Sequence, residues 1–294
     1  NYVVRVLASN FNAGGTQHGC VSSVPDAGDP DADSGDSDDN GVGILPTGTG
    51  IDSLPVMLGP AVGSEPTAET DLAPGDPVEP NGNTNLTVDF GFFPAYSLGN
   101  RVWKDLNNSG TIDAADGAAP GVYGITVRLL NATTLVQATD ITGALVADQL
   151  TANGGYYRFD NLPAGDYLVE IRSTNFASGA MLYGCVSSSP DAGDPDSNVD
   201  NDDNGVGVTP GITGIRSLPV TLGPAPGSEP TNETDRSPSD PDEPNGATNL
   251  TVDFGFVPTF SLGNRVWKDL NNSGTIDGPE GASPGIEEVV RPNV

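Results

Sequence analysis

The sequence predicts an all-β protein, built as a tandem array of antiparallel β-sandwich domains. Three features carry that prediction: apolar residues alternating with polar ones in short segments, Gly/Pro/Asp turns between those segments, and a long internal repeat. Alternation with period two marks a strand with one face able to pack. Leu86, Val88, Phe90 and Phe92 form one such segment; Ile125, Val127 and Leu129 a second; Tyr167, Val169 and Ile171 a third. YYRF (156–159), DNLPAG and DYLVEI (166–171) read as two strands joined by a Pro/Gly turn. No segment has helical periodicity.

The repeat sets the domain organisation. DFGFFPAYSLGNRVWKDLNNSGTID (89–113) returns as DFGFVPTFSLGNRVWKDLNNSGTID (253–277), with 22 of 25 positions identical at an offset of 164. GCVSSVPDAGDPD (19–31) returns as GCVSSSPDAGDPD (184–196), and NYVVRV (1–6) corresponds to DYLVEI (166–171). A period this long describes whole domains rather than solenoid units of 20–50 residues. Residues 1–95 read as the back of one sandwich, 96–258 as a complete one and 259–294 as the front of the next. The expected setting is an interior stretch of a longer secreted polypeptide. Strand exchange, in which 259–294 of one copy completes 1–95 of the next, is the alternative, as is a proteolytic fragment.

Composition removes several functions. Eleven basic residues against 40 acidic ones give a net charge of −29, which disfavours nucleic acid as a partner. No apolar run approaches the roughly 20 residues of a membrane span. One histidine, His18, and two cysteines leave little material for imidazole catalysis, CxxC redox chemistry or a thiolate metal site. Cys20 and Cys185 hold the same place in successive repeats and are expected as buried free thiols, with a bond to a neighbouring chain or a nearby repeat as the alternative. Sequons at Asn85, Asn131, Asn232 and Asn249 are weak signals. Asp89 and Asp253, opposite the apolar stripe of their VDFGF segments, are expected to be exposed or near a sheet edge.

The chemistry-bearing motif is DLNNSGTIDAAD (105–116). It fits a twelve-residue Ca²⁺ loop with Asp105, Asn107, Ser109, the Thr111 carbonyl, Asp113 and Asp116 as oxygen ligands. Gly110, at the sixth position, permits the sharp turn. The second copy, DLNNSGTIDGPE (269–280), presents Asp269, Asn271, Ser273, Thr275, Asp277 and Glu280. Weaker cation candidates lie in two acidic stretches. DSDDNG (36–41) and DNDDNG (200–205) resemble the front half of such a loop. Their candidate ligands are Asp29, Asp31, Asp33, Asp36, Asp38 and Asn40, and Asp194, Asp196, Asp200, Asp202 and Asn204. A second pair of long stretches, rich in Pro, Thr and Glu (about 59–84 and 223–248), also reads as loop and needs something to order it.

SLGNRVWKDLNNSGTID, GVYGITVRLL and GGYYRFDNLPAGDYLVEI, in that order, resemble the B domains of Sdr-type (serine-aspartate repeat) bacterial surface proteins, which are similar to collagen-adhesin (Cna) B-type domains. The resemblance implies a prealbumin-like or immunoglobulin-like sandwich, an extracellular location, and calcium that stiffens tandem stalk domains. It also raises the Lys–Asn crosslink that some Cna-B-type domains carry, for which Lys104 and Asn249, with Glu170, are the residues to inspect. The expected function is structural, not enzymatic: a stalk, fibre or matrix filament whose partner is itself or its continuing repeats. A cell-surface adhesin or carbohydrate-binding module with a host or matrix ligand is the alternative.

Overall fold

The computed structural model describes residues 1–278, apart from 13, 24–29, 32–37, 68, 70–80, 153, 190–193, 197–200, 208, 226 and 240–245. It divides into two compact units, Asn1–Pro258 and Thr259–Val294. The first unit contributes β1 (Arg5–Leu7), β2 (Cys20–Ser22), β3 (Gly41–Thr47), β4 (Gly50–Ser53) and β5 (Phe92–Pro94). There follow β6 (Tyr96–Lys104), β7 (Thr126–Asn131), β8 (Gln149–Leu150), β9 (Tyr156–Leu162), β10 (Gly165–Ile171), β11 (Cys185–Ser187), β12 (Ile215–Arg216), β13 (Val220–Leu222), β14 (Thr248–Asn249) and β15 (Phe254–Pro258). One α-turn (Pro210–Thr213) and three 3₁₀ turns are the only helical elements among the described residues.

Strands β6–β15 build two sheets. One has the order β12–β10–β7–β8, with β13 also on β10; the other has β11–β15–β6–β14, with β9 also on β6. Leu98, Val102, Phe159, Phe254 and Phe256 of one sheet meet Val127, Leu129, Val169, Ile171, Ile215 and Val220 of the other in a single buried core. The alternating residues of the second and third predicted segments are thus core. β9 and β10, though joined by a short turn, do not form a hairpin. β9 pairs with β6 and β10 with β7, so the turn carries the chain from one sheet to the other.

The sandwich is closed by a parallel contact. β6, the first strand, runs beside β14 and β15, the last, in the register Ser97–Thr248, Leu98–Asn249, Val102–Phe254 and Lys104–Phe256. Between the last two pairs, fully buried Trp103 lies against Gly255. A Cβ on that glycine would stand 2.7 Å from the indole Cζ2 and 2.6 Å from Ser188 Oγ.

Residues 1–95 repeat the back of this design in two smaller sheets, β1–β4–β3 and β2–β5. The predicted strand 86–92 joins a ladder only from Phe92, whereas its counterpart pairs with β6 through β14 and β15. The alternation is the same, but a strand needs a neighbour for its N–H and C=O groups. Leu86 is accordingly 39% exposed where Leu250 is 3%.

In the described parts of the Pro/Thr/Glu stretches, buried carboxylates make the same contacts in both copies. Gly59 N–H donates to Glu65 at 2.7 Å and Gly223 N–H to Glu229 at 2.8 Å. The N–H of Leu86 donates to Glu69 and that of Leu250 to Glu233. Thr87 and Thr251 hydroxyls donate to the Pro30 and Pro195 carbonyls. Arg101 ties down the second stretch, donating to Asp235 at 2.6 Å and lying 4.8 Å from the Tyr156 ring centroid, while the Tyr156 hydroxyl donates to the same Asp235.

Two predictions follow from this packing. Gly255→Ala has no room beside Trp103 and lowers stability by about 1–3 kcal/mol, read as a lower midpoint in thermal or urea denaturation. Burial pushes the Glu229 carboxyl above its usual range, and the charge of Asp196 adds to the shift. A folded-state pKa above the unfolded one gives stability that is present at low pH and lost as pH rises through the folded value. Glu229→Gln keeps an acceptor for Gly223 and Ser228 while removing the buried charge. It therefore raises the melting temperature at neutral pH and flattens its dependence on pH just above the ordinary glutamate range.

Candidate metal centre

The loop 105–116 leaves β6 directly and is held at both ends. Asp105 N–H donates to the Phe256 carbonyl of β15 at 3.0 Å, so the loop is fixed to the strand that closes the sandwich. Asp105 is fully buried; its Oδ1 accepts the Ser109 N–H at 3.2 Å and its Oδ2 the Gly110 N–H at 2.8 Å. Asn108 and Gly110 turn with φ of 57° and 73°, the left-handed region that glycine tolerates freely. Buried Asp116 closes the far end, accepting from Leu106 N–H at 2.8 Å and Asp113 N–H at 3.0 Å.

The remaining candidate ligands turn toward one another. Asn107 Nδ2 donates to Asp113 Oδ2 at 3.0 Å, and Ser109 Oγ donates to the Thr111 carbonyl at 2.9 Å. The side-chain hydrogen bond from Asn107, followed by that from Ala115 N–H, holds the Asp113 carboxyl below its usual range. The six predicted positions thus lie in one loop tied by its own hydrogen bonds, and they supply three carboxylates, an amide, a hydroxyl and a carbonyl. That donor set is hard and oxygen-only, which suits Ca²⁺. Among the described residues, no three His, Cys, Asp or Glu side chains are clustered closely enough to hold an ion by themselves. An ion here would use the amide, hydroxyl and carbonyl oxygens as well.

In the second unit the described part of the loop makes the same contacts. Asp269 accepts from Ser273 N–H at 3.1 Å and Gly274 N–H at 2.8 Å; Asn271 donates to Asp277 and Ser273 to the Thr275 carbonyl. Backbone N–H groups, Gly274 first, hold the Asp269 carboxyl below its usual range. Glu280 lies outside the described residues.

The acidic stretches behave differently. Asp29, Asp33, Asp36 and Asp200 lie outside the described residues. Asp31 accepts the Met57 N–H, and Asp196 the Thr221 N–H at 2.9 Å. Asp194 caps the N–H of Asp196. Asn40 donates to Asp38, and Asn204 to Asp202 at 3.4 Å. Sequence reasoning passed over the residue between each pair. Buried Asp39 accepts from Ser22 Oγ, Gly41 N–H and Gly91 N–H. Asp203 does the same with Ser187, Gly205 and Gly255. Asp253 is likewise fully buried, not exposed: its two oxygens accept from Arg101 N–H and Asn201 N–H. The segment 201–203 docks on the candidate loop, with Ile112 N–H donating to Asn201 O and Asp203 N–H to Gly110 O, each at 2.9 Å. Two stretches 90 positions apart are thereby brought side by side.

Other sequence candidates are also placed. Cys20 is half-buried, Cys185 is buried, and both are free thiols. Asn249 is fully buried and its amide donates to the Pro195 carbonyl, which removes it as a glycan acceptor. Asn249 pairs with Leu98, six positions before Lys104 on β6, a separation of about 20 Å along a strand. The Lys104–Asn249 crosslink is therefore excluded. No helix among the described residues is long and apolar enough to cross a membrane.

Comparison with known proteins gives one family match and several relatives of low identity. The SdrD B-like domain model matches residues 96–211. The chain is 29% identical over 209 residues to serine-aspartate repeat-containing protein D of Staphylococcus aureus strain Newman, covering 70% of this chain and 12% of that protein. It is 29% identical over 216 residues to serine-aspartate repeat-containing protein E of strain USA300, covering 72% of this chain and 14% of that protein. The chain thus spans only a small part of these relatives. A structural match to the group B streptococcus pilus 2b backbone protein covers 71% of this chain and 56% of that one, with 13% identity and a TM-score of 0.27. A match to GBS52, the minor pilin of Streptococcus agalactiae, covers 62% and 55%, with 15% identity and a TM-score of 0.25. The stretch that matches the SdrD B-like domain model, residues 96–211, contains the first of the two candidate loops.

Proposed function

We propose that the chain is a calcium-stiffened section of an extracellular stalk or filament on a cell surface, with a mechanical rather than a catalytic role. The observation that carries this reading is the loop 105–116, closed on itself by its own ligand side chains and attached to β15 through Asp105 N–H. An ion bound by Asp105, Asn107, Ser109, Thr111, Asp113 and Asp116 would lock the exit of β6 to the last strand of the same domain and to the docked segment 201–203. The second loop, at 269–280, repeats the arrangement at Asp269, Asn271, Ser273, Thr275 and Asp277, and a string of such domains would then bend less at each position. Similarity to the serine-aspartate repeat proteins supports a place on the cell surface. The net charge of −29 supports a cationic counterpart.

Ligand that binds only the folded state stabilises it by mass action, by about 2.7 kcal/mol at a hundredfold excess over Kd. Calcium is therefore expected to raise the melting temperature and protease resistance of the chain, and a chelator to reverse both. Asp105→Ala loses most of the calcium-dependent increment, while its melting without calcium drops separately because the Ser109 and Gly110 N–H groups lose their acceptor. A melting curve that calcium and chelator leave unmoved contradicts the reading.

A further inference from the structure

β1 and β10 hold the same place in successive repeats, and so do their partners β4 and β12. The two ladders share one register. Arg5, Val6 and Leu7 stand opposite Asp52, Ile51 and Gly50; Glu170 and Ile171 stand opposite Arg216 and Ile215. The flanking bonds match as well. Ser53 Oγ accepts the Val4 N–H at 3.1 Å and Ser217 Oγ the Val169 N–H at 3.0 Å. The Ser53 and Ser217 N–H groups donate back to the Val4 and Val169 carbonyls, each at 2.9 Å.

One facing pair differs, and it differs in sign. Arg5 donates to both oxygens of Asp52, with Nη2 2.7 Å from Oδ2. In the next repeat Arg216 Nε donates to Glu170 Oε2 at 2.7 Å. The cation thus sits on the first strand of one ladder and on the second strand of the other. Arg5 is the only Lys or Arg among residues 1–95, and the residue in its place one repeat on is an acid. Its partner Asp52 is replaced by a base in the same step. A reversal at one position alone would set like charges opposite each other, which weakens a ladder.

The reversal matters where repeats are confused with one another. Neighbouring domains of near-identical sequence can exchange equivalent strands as they fold. With β1 on β12, Arg5 would face Arg216; with β10 on β4, Glu170 would face Asp52. The other contacts do not tell the repeats apart, because Val6 and Ile171 are close equivalents and Ile51 and Ser53 recur as Ile215 and Ser217. A reciprocal exchange therefore turns two attractive pairs into two repulsive ones. A surface ion pair is worth little by itself, but between two ladders that are otherwise interchangeable a small difference decides the partition.

We propose that the Arg5–Asp52 and Glu170–Arg216 pairs sort the strands of neighbouring repeats, so that each first strand closes on the partner strand of its own repeat. The device is needed because the chain repeats itself so closely, and it does not rest on calcium.

The test uses the full 294-residue chain. Arg5→Glu with Asp52→Arg gives the first pair the polarity of the second, so both native pairs stay opposite in charge while the sorting is lost. Adding Glu170→Arg and Arg216→Glu inverts the second pair and restores it. Exchange is read by disulfide trapping during refolding from urea, in a Cys20→Ser, Cys185→Ser background. Val3→Cys with Leu54→Cys reports the native ladder, and Val3→Cys with Leu218→Cys the exchanged one. These three side chains are exposed, and Leu54 and Leu218 directly follow Ser53 and Ser217. The exchanged crosslink is expected to rise roughly tenfold in the double variant and to return to its original level in the fourfold variant. The melting midpoint of the double variant stays within a degree or two of the parent chain, about the shift of a weak surface pair. An exchanged crosslink that does not rise in the double variant overturns the proposal, and so does one that stays high in the fourfold variant. Loss of the native crosslink with no gain of the exchanged one also overturns it, since the pair would then hold the ladder together without choosing the partner.

Discussion

The parallel pairing of β6 with β14 and β15 is the contact on which the rest of the domain depends. It joins the first strand of the repeat to its last, so the core can close only when both ends of the repeat are present. Trp103 on Gly255 fixes its register, and one slip would turn every side chain of β6 to the wrong face. The same pairing delivers Asp105 to the Phe256 carbonyl, which starts the oxygen-lined loop in a fixed place. Where the pairing is lacking, as in residues 84–91, the same amino acids leave part of their apolar face exposed and form no ladder before Phe92.

Charge is the second organising feature. Nineteen of the 40 acidic residues lie in the two loops and the two acidic stretches. Several do not face solvent. Asp39, Asp203, Asp253, Glu65 and Glu229 are buried and accept backbone N–H groups. A buried carboxylate is tolerated when its oxygens are satisfied, and here each also ties a segment that lacks regular structure to a strand. Part of the −29 is therefore scaffold, and part lies in the two loops for which we propose a cation.

Much of this was legible in the sequence. Period-two alternation located β7 and β10, and the 164-residue offset predicted that both copies would build the same contacts. The twelve-residue spacing names the candidate oxygens, and in both copies Asn hydrogen-bonds Asp across the loop and Ser hydrogen-bonds the Thr carbonyl. The roles of Asp39 and Asp203 were not legible, because D-x-D-D-N-G does not say which carboxylate turns inward; tertiary contacts with Ser22, Ser187, Gly91 and Gly255 decide it. Asp253 failed for a similar reason. Alternation places it opposite the apolar stripe, but that face is covered by 201–204 from far along the chain. A usable signal for the ordered insertions was present: SEPTAETD (64–71) returns as SEPTNETD (228–235), and repetition of that kind in a supposed loop marks built structure. The parallel closure of β6 on β15 had no local signal, since its partners are some 150 residues apart.

The central claim is that the loop 105–116 is a calcium site that locks the end of β6 to β15 and to the segment 201–203. Hydrogen–deuterium exchange with and without calcium tests it at the residues concerned. The account predicts that calcium slows exchange at the Ser109, Gly110, Asp113 and Asp203 amides and leaves the core amides of β7 and β10 unchanged. Equal exchange in the two conditions across 105–116 would contradict it.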